Sequence, residues 1–212
     1  TDGNNDFANG DGDSETYAFT GYGSWLVDNG MFVDVTGKVG RLKNSFDIST
    51  TLGTASGSYN TNAFSLSAEA GWRLHPLDNS LYVEPQVEMM YGRVLDADYT
   101  TSMGVAVEHE AVDTLIGRVG FVLGLKCPNN RGNTYVRASI LHDWQGDAES
   151  TFTKGGQTKR ISEELGDTWL EYGVGANFNA TKNLHLYADL EATEGAKVET
   201  SYRFNLGARW SF

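Results

Sequence analysis

The last twelve residues, SYRFNLGARWSF, alternate without a break. Successive side chains of an extended strand point to opposite sides. Tyr202, Phe204, Leu206, Ala208, Trp210 and Phe212 therefore share one face, and Ser201, Arg203, Asn205, Gly207, Arg209 and Ser211 share the other. A repeat of two sustained this far rules out a helix, whose apolar residues return every three or four positions. A soluble sandwich strand also has a greasy side. An aromatic terminus opposite two arginines, however, reads as a wall between lipid and a polar lumen, the closing strand of a transmembrane β-barrel.

The same alternation recurs upstream. Phe64, Leu66, Ala68, Ala70, Trp72 and Leu74 oppose Glu69 and Arg73, and Leu81, Val83, Pro85, Val87, Met89 and Tyr91 oppose Glu84, Gln86 and Glu88. Leu115, Val119, Phe121, Leu123 and Leu125 oppose Arg118 and Lys126; Tyr172, Val174, Ala176 and Phe178 oppose Glu171, Gly173, Gly175 and Asn177. Between turn signals this gives about nine strands, near 15–26, 30–48, 58–75, 80–100, 104–126, 133–148, 160–179, 183–193 and 198–212. Several exceed the ordinary soluble strand of roughly five to six residues and meet the roughly nine to eleven a bilayer crossing demands. The first strand is aromatic on both faces, and its inner side is left open.

Short turns at Asp28–Gly30, Pro76–Asn79, Pro128–Asn133 and Ala180–Asn183 alternate with more polar loops near 49–57, 101–104 and 148–160. Bacterial outer-membrane barrels have short periplasmic turns and longer external loops, which puts the carboxy terminus on the periplasmic side. Such barrels have an even strand number, so the amino-terminal part of the barrel is expected to lie outside this sequence. Trp25, Trp72, Tyr82, Tyr91, Trp144, Trp169, Tyr202, Trp210 and Phe212 cluster near strand ends, as interfacial aromatic belts do.

At 212 residues the chain suits one all-β domain. Gly 25 against Pro 3 fits many strands joined by tight turns. No run approaches the roughly 18 apolar residues of a membrane helix, so a bilayer reading needs lipid-facing residues diluted on every strand by lumen-facing ones. The net charge of -12 argues against nucleic acid, whose phosphates need clustered Lys and Arg. Part of that charge lies in residues 1–14, read as a polar loop on the extracellular side, with the barrel domain spanning 15–212. The chain opens on that loop rather than on Met, which suggests a piece of a longer protein with any targeting signal upstream.

Cys127 is the lone cysteine, so neither an intrachain disulfide nor a paired-cysteine zinc site is available. His75, His109, His142 and His185 lack ligand spacing, and no metal site is expected. His142 and Asp143 point to opposite faces and no G-x-S-x-G elbow occurs, so no catalytic triad is supported. Asp11, Asp13 and Glu15 lack a full calcium loop. Nothing resembles a phosphate-binding loop, and no cofactor is expected.

AFTGYGSWLVDNGMFVD, AEAGWRLHP with LYVEPQVEMMYGRV, IGRVGFVLG, TWLEYGVGANF, NLHLYADLE and the closing YRFNLGARWSF together resemble the carboxy-terminal translocator domain of autotransporters, the type V secretion proteins of Gram-negative bacteria. The likeness covers the chain after about Glu15. It implies an antiparallel barrel of about twelve strands with a linker helix through its pore and a secreted passenger upstream. This sequence would hold roughly the last nine strands. Outer-membrane lipid, the chain's own passenger and linker helix, and the barrel-assembly machinery are the implied partners.

On the barrel reading Glu69, Arg73, Glu84, Gln86, Glu88, Arg118, Glu171, Arg203 and Arg209 line the lumen, either as a seat for water or polypeptide or as ion pairs that stiffen the wall. Tyr202, Phe204, Leu206, Trp210 and Phe212 resemble the terminal signal read by the assembly machinery, and equally form a lipid-facing row. The implied function is to anchor and export an upstream passenger. The chain itself is not expected to be an enzyme, and self-cleavage is left open because the scissile segment would lie upstream. Two other classes stay open: an outer-membrane barrel enzyme of protease or lipase type, and a soluble carbohydrate-binding sandwich.

Overall fold

The computed structural model describes residues 2–4, 8–50, 53–76, 80–128, 131–195 and 202–211. Its strands are β1 (Asp2–Asn4), β2 (Ala8–Leu26), β3 (Met31–Thr50), β4 (Gly53–Trp72), β5 (Leu81–Val94), β6 (Ala97–Thr100) and β7 (Ala106–His109). They continue with β8 (Val112–Lys126), β9 (Gly132–Asp143), β10 (Asp147–Lys154), β11 (Gln157–Glu164), β12 (Thr168–Asn179), β13 (Leu184–Glu194) and β14 (Arg203–Trp210). No α-helix occurs among the described residues.

Apart from the short β1, nine strands form one antiparallel wall in the order β2-β3-β4-β5-β8-β9-β12-β13-β14. The wall curls like part of a barrel. Among the described residues β2 and β14 stand at opposite ends and do not pair with each other. The remaining strands make a second sheet, β11-β10-β7-β6, built from the two hairpins that interrupt the wall between β5 and β8 and between β9 and β12.

Several sequence expectations are corrected. Residues 1–14 were expected as a loop, but Asp2–Asn4 and Ala8–Ser14 are strand, and Ala8–Ser14 pairs with Asn44–Thr50 of β3. Polar side chains on both faces are no obstacle where a hairpin rises into water and its backbone groups still pair. The stretches read as single strands 80–100 and 104–126 each divide, at Leu95–Asp96 and at Glu110–Ala111, and the polar loop near 148–160 is the hairpin of β10 and β11. Alternation persists through each break because the second sheet also has a covered and a wet face, so periodicity alone did not mark where the chain leaves the wall.

At the first short turn, Val27–Gly30, Gly30 takes φ 88 and donates its N–H to the Val27 carbonyl at 2.9 Å. A Cβ at Gly30 would lie 2.6 Å from the Arg73 carbonyl oxygen, so glycine is required on two counts. The Trp72 indole donates to the Asn29 carbonyl at 2.9 Å, tying β4 to the same rim.

The outer face is greasy and uncovered: Val119, Leu206, Phe19 and Ile140 are 65%, 73%, 75% and 58% exposed. A water-soluble protein rarely carries so large an apolar surface; a wall facing lipid requires it.

Candidate functional site

Register decides which residues share the inner face. Asp34, Glu69, Glu88, Arg118 and Leu141 stand side by side across β3, β4, β5, β8 and β9. A cavity of about 270 Å³ is lined by residues as far apart as Glu69 on β4 and Asn177 on β12. Strands that distant can bound one space only on the concave side, so the charged row is the inner one.

Arg118 bridges two acids, with Nη2 at 2.8 Å from Glu69 Oε2 and Nε at 2.8 Å from Glu88 Oε2. Arg73 Nε donates to Glu84 Oε2 at 2.6 Å, and Gln86 Nε2 donates to Glu84 Oε1 at 2.8 Å. Glu84 is only 4% exposed, so these contacts hold a carboxylate that lacks bulk water. The Arg73 guanidinium lies 4.6 Å from the centre of the Tyr82 ring. On the strands toward the carboxy terminus, Arg137 pairs with Glu191, which Arg203 also approaches at 3.5 Å, and the Tyr135 hydroxyl donates to Asp189. On the opposite flank the Ser24 hydroxyl donates to Asp34. A further inner cavity of about 640 Å³ is bounded by β2 to β5 and includes Asp34, Glu69, Arg73 and Glu84.

Three inner tyrosines lie over glycines directly opposite them: Tyr82 on Gly124, Tyr135 on Gly175 and Tyr187 on Gly207. A Cβ at these glycines would come within 2.1, 2.3 and 2.1 Å of the ring. The missing side chain is what lets each ring lie flat against the wall.

The end of the wall away from the short turns is partly roofed. Ala97, Tyr99, Val107 and His109 share one face of the second sheet, with Ala97 and Val107 buried. Tyr99 stacks on Tyr59 of β4 at 5.0 Å and meets Phe46 of β3 edge-on at 5.9 Å. Ser102 and Ser56 exchange hydrogen bonds of 2.8 and 2.9 Å, fastening the β6–β7 turn to β4. His109 lies 5.1 Å from Tyr59, with Nδ1 2.7 Å from Ser150 Oγ. Burial pushes its imidazole below the ordinary value, against a smaller opposing pull from Asp98.

Of the lumen residues expected from sequence, Glu69, Arg73, Glu84, Gln86, Glu88 and Arg118 come together in one network, and Arg203 joins the second. Glu171 lies on the inner row opposite Ser139 and Thr193, and Arg209 opposite His185, outside both networks. Tyr202, Phe204, Leu206 and Trp210 are 74%, 63%, 73% and 60% exposed; Phe204, Leu206 and Trp210 form the outer row of β14, while Phe212 lies outside the described residues. Tyr82, expected in an interfacial belt, is instead inside and 2% exposed, and Trp169 falls on the inner row opposite Leu141. Sequence reasoning missed Asp34, Tyr135, Arg137, Asp189 and Glu191. Alternation in Tyr135–Ser139 and in Tyr187–Glu191 carried the signal.

The chain matches the family model described as "Autotransporter beta-domain" over residues 1–191. It is similar to the pertactin autotransporter of Bordetella parapertussis, with 30% identity over 207 residues, 96% of this chain and 22% of that protein. The chain thus spans about a fifth of that relative's length. Among solved structures it is similar to the β domain of the Bordetella autotransporter BrkA (TM-score 0.69, 24% identity, covering 100% of this chain and 76% of that one). It is also similar to the translocator domain of autotransporter NalP from Neisseria meningitidis (TM-score 0.74, 18% identity, 99% and 70%).

Proposed function

The chain belongs to the autotransporter β-domain family and is an outer-membrane translocator barrel, and we propose that its charged inner wall seats the polypeptide linking barrel to passenger. The observation that carries this reading is the two-faced wall: uncovered Val, Leu and Phe outside, and paired Arg, Glu and Asp around cavities of about 270 and 640 Å³ inside. A polypeptide threaded there finds hydrogen-bond partners rather than hydrocarbon, while the ion pairs hold the wall around it. Binding and guidance are the proposed chemistry; no covalent step is assigned to this chain.

Three finer points belong to the same proposal. The carboxy terminus lies on the periplasmic side, because the short turns share its rim. The assembly machinery recognises β14 by strand addition, with Tyr202, Phe204, Leu206, Trp210 and Phe212 as the side-chain row. The edges of β2 and β14 are closed by further strands supplied upstream, since lipid cannot satisfy open backbone groups; the barrel is then incomplete at its amino-terminal side.

The test is an epitope placed upstream of Thr1 in the full-length protein, probed on intact cells together with a membrane-impermeant thiol reagent. In a Cys127→Ser background, Lys154→Cys, beside the β10–β11 turn, is expected to label from outside, Lys182→Cys, at a short turn, only after the outer membrane is opened, and the epitope to be exposed. An inserted barrel with the epitope held inside would refute export, and reversed labelling would refute the orientation.

A further inference from the structure

Positive charge is scarce on the outer face of the wall. Among the described wall residues that register directs outward, the lysines and arginines are Arg41, Lys43 and Arg93. They form one patch. Tyr17, Arg41 and Asn62 stand in a row across β2, β3 and β4; Phe19, Val39, Phe64 and Arg93 make the row below, and Glu15, Lys43 and Asn60 the row above.

The patch sits where the outer surface changes character. From Arg41 toward the short turns β3 presents Val39, Gly37, Val35, Val33 and Met31, and toward the hairpin tip it presents Lys43, Ser45 and Asp47. The ten residue steps from Met31 to Arg41 climb about 25 Å on a strand tilted by about 40°, the height of a lipid-facing apolar band. Arg41 therefore lies at the headgroup level of the leaflet on the long-hairpin side. Cations are tolerated at that depth and costly deeper.

Two of the three charges have partners: Arg93 pairs with Asp113 at 3.2 Å, and Lys43 lies 3.9 Å from Glu15 and 5.4 Å from the centre of the Tyr17 ring. Arg41 is exposed and has no ion-pair partner among the described residues. Beside it runs an open groove of about 570 Å³ lined by Tyr17, Phe19, Val39, Arg41, Asn62 and Phe64. Its floor is aromatic and aliphatic, its rim a guanidinium and an amide.

We infer that this patch binds a phosphorylated, acyl-chain-bearing lipid of the outer leaflet, with the phosphate on Arg41 and Lys43 and an acyl chain in the groove. A guanidinium offers a planar fork of donors that matches phosphate oxygens. Asn62 and Asn60, opposite Arg41 and Lys43, add donors for a polar headgroup. The Phe19, Val39 and Phe64 row supplies the surface for the chain beneath. This inference rests on the barrel reading with the long hairpins outside.

The experiment uses the full-length protein, delipidated and placed in phosphatidylcholine nanodiscs containing a fluorescent diphosphorylated lipid A. Wild type is expected to hold the probe, and Arg41→Gln with Lys43→Gln to bind it about tenfold more weakly, the scale of one charge-assisted contact. Arg41→Lys, which keeps the charge and loses the fork, is expected to bind between wild type and the double variant, and Lys159→Gln, on the second sheet, leaves binding unchanged. Lipid A stripped of its phosphates binds wild type no better than the double variant does, and free inorganic phosphate fails to displace the probe. Binding indifferent to the lipid's phosphates, which needs no variant to measure, overturns the inference, as does full binding by the double variant. A wild-type protein that does not enter nanodiscs sinks the barrel reading instead, so the two failures are distinct.

Discussion

Arg118 holds two carboxylates that would otherwise repel, since Glu69 and Glu88 are direct neighbours across β4 and β5. Replacing it by Met leaves both acids half-buried without their cation. The expected loss is about 2–3 kcal/mol, read as a lower denaturation midpoint of the full-length protein refolded in detergent micelles, and Glu88→Gln in the same background should recover part of it. A midpoint unchanged by Arg118→Met would mean that water already satisfies the acids. Gly207 makes a different demand: a side chain there enters the Tyr187 ring. Gly207→Val is expected to cost about 1–3 kcal/mol, the range for overpacking, and Tyr187→Ala should relieve it; the temperature at which the folded band is lost in an unboiled gel measures both. Alternation alone put Glu69, Glu88 and Arg118 on one face. It did not say that Arg118 serves both acids, because partner choice depends on register between strands distant in sequence. The same limit hid Arg137 with Glu191, whose positions are far apart in the chain and adjacent only once β9, β12 and β13 are aligned.

Between wall and water, β6, β7, β10 and β11 were the least legible elements. Their residues alternate as the wall does, and only the changes of sheet at Leu95–Asp96, Glu110–Ala111, Trp144–Gly146 and Leu165–Asp167 separate them. The wall strands themselves were readable because each must keep one continuous oily face. His109 gives the second sheet a pH response. Its folded-state affinity for protons is depressed by burial, so the unfolded state binds more protons as pH falls through the histidine range. The stability it contributes is complete above its unfolded value, near pH 6.5, and is lost as pH falls toward the depressed one. Protection of the amides in Ala97–His109, taken relative to their intrinsic exchange at each pH, is therefore expected to fall on acidification from pH 7.5 to pH 5 in the wild-type protein, and to change less in His109→Gln. An equal loss of protection in both would remove His109 as the cause.

At the scale of the molecule, the wall ends in two edges, β2 and β14, that do not meet among the described residues. Residues 1–212 expressed alone are expected to stay protease-sensitive when mixed with liposomes, whereas the full-length protein should yield a protected core; protection of the short form would show that it closes by itself or with a second copy. The wall is also uneven in height. β3 and β4 run 20 residues each, against 11 for β13 and 8 for β14, and a crossing takes only about nine to eleven. Nine surplus residues on β3 over β13 (20 against 11) add about 20–25 Å of height on a strand tilted by about 40°. Among the described residues the surplus stands at the β3–β4 flank, so the part of the wall that rises clear of the bilayer is raised by the strands nearest the amino-terminal edge.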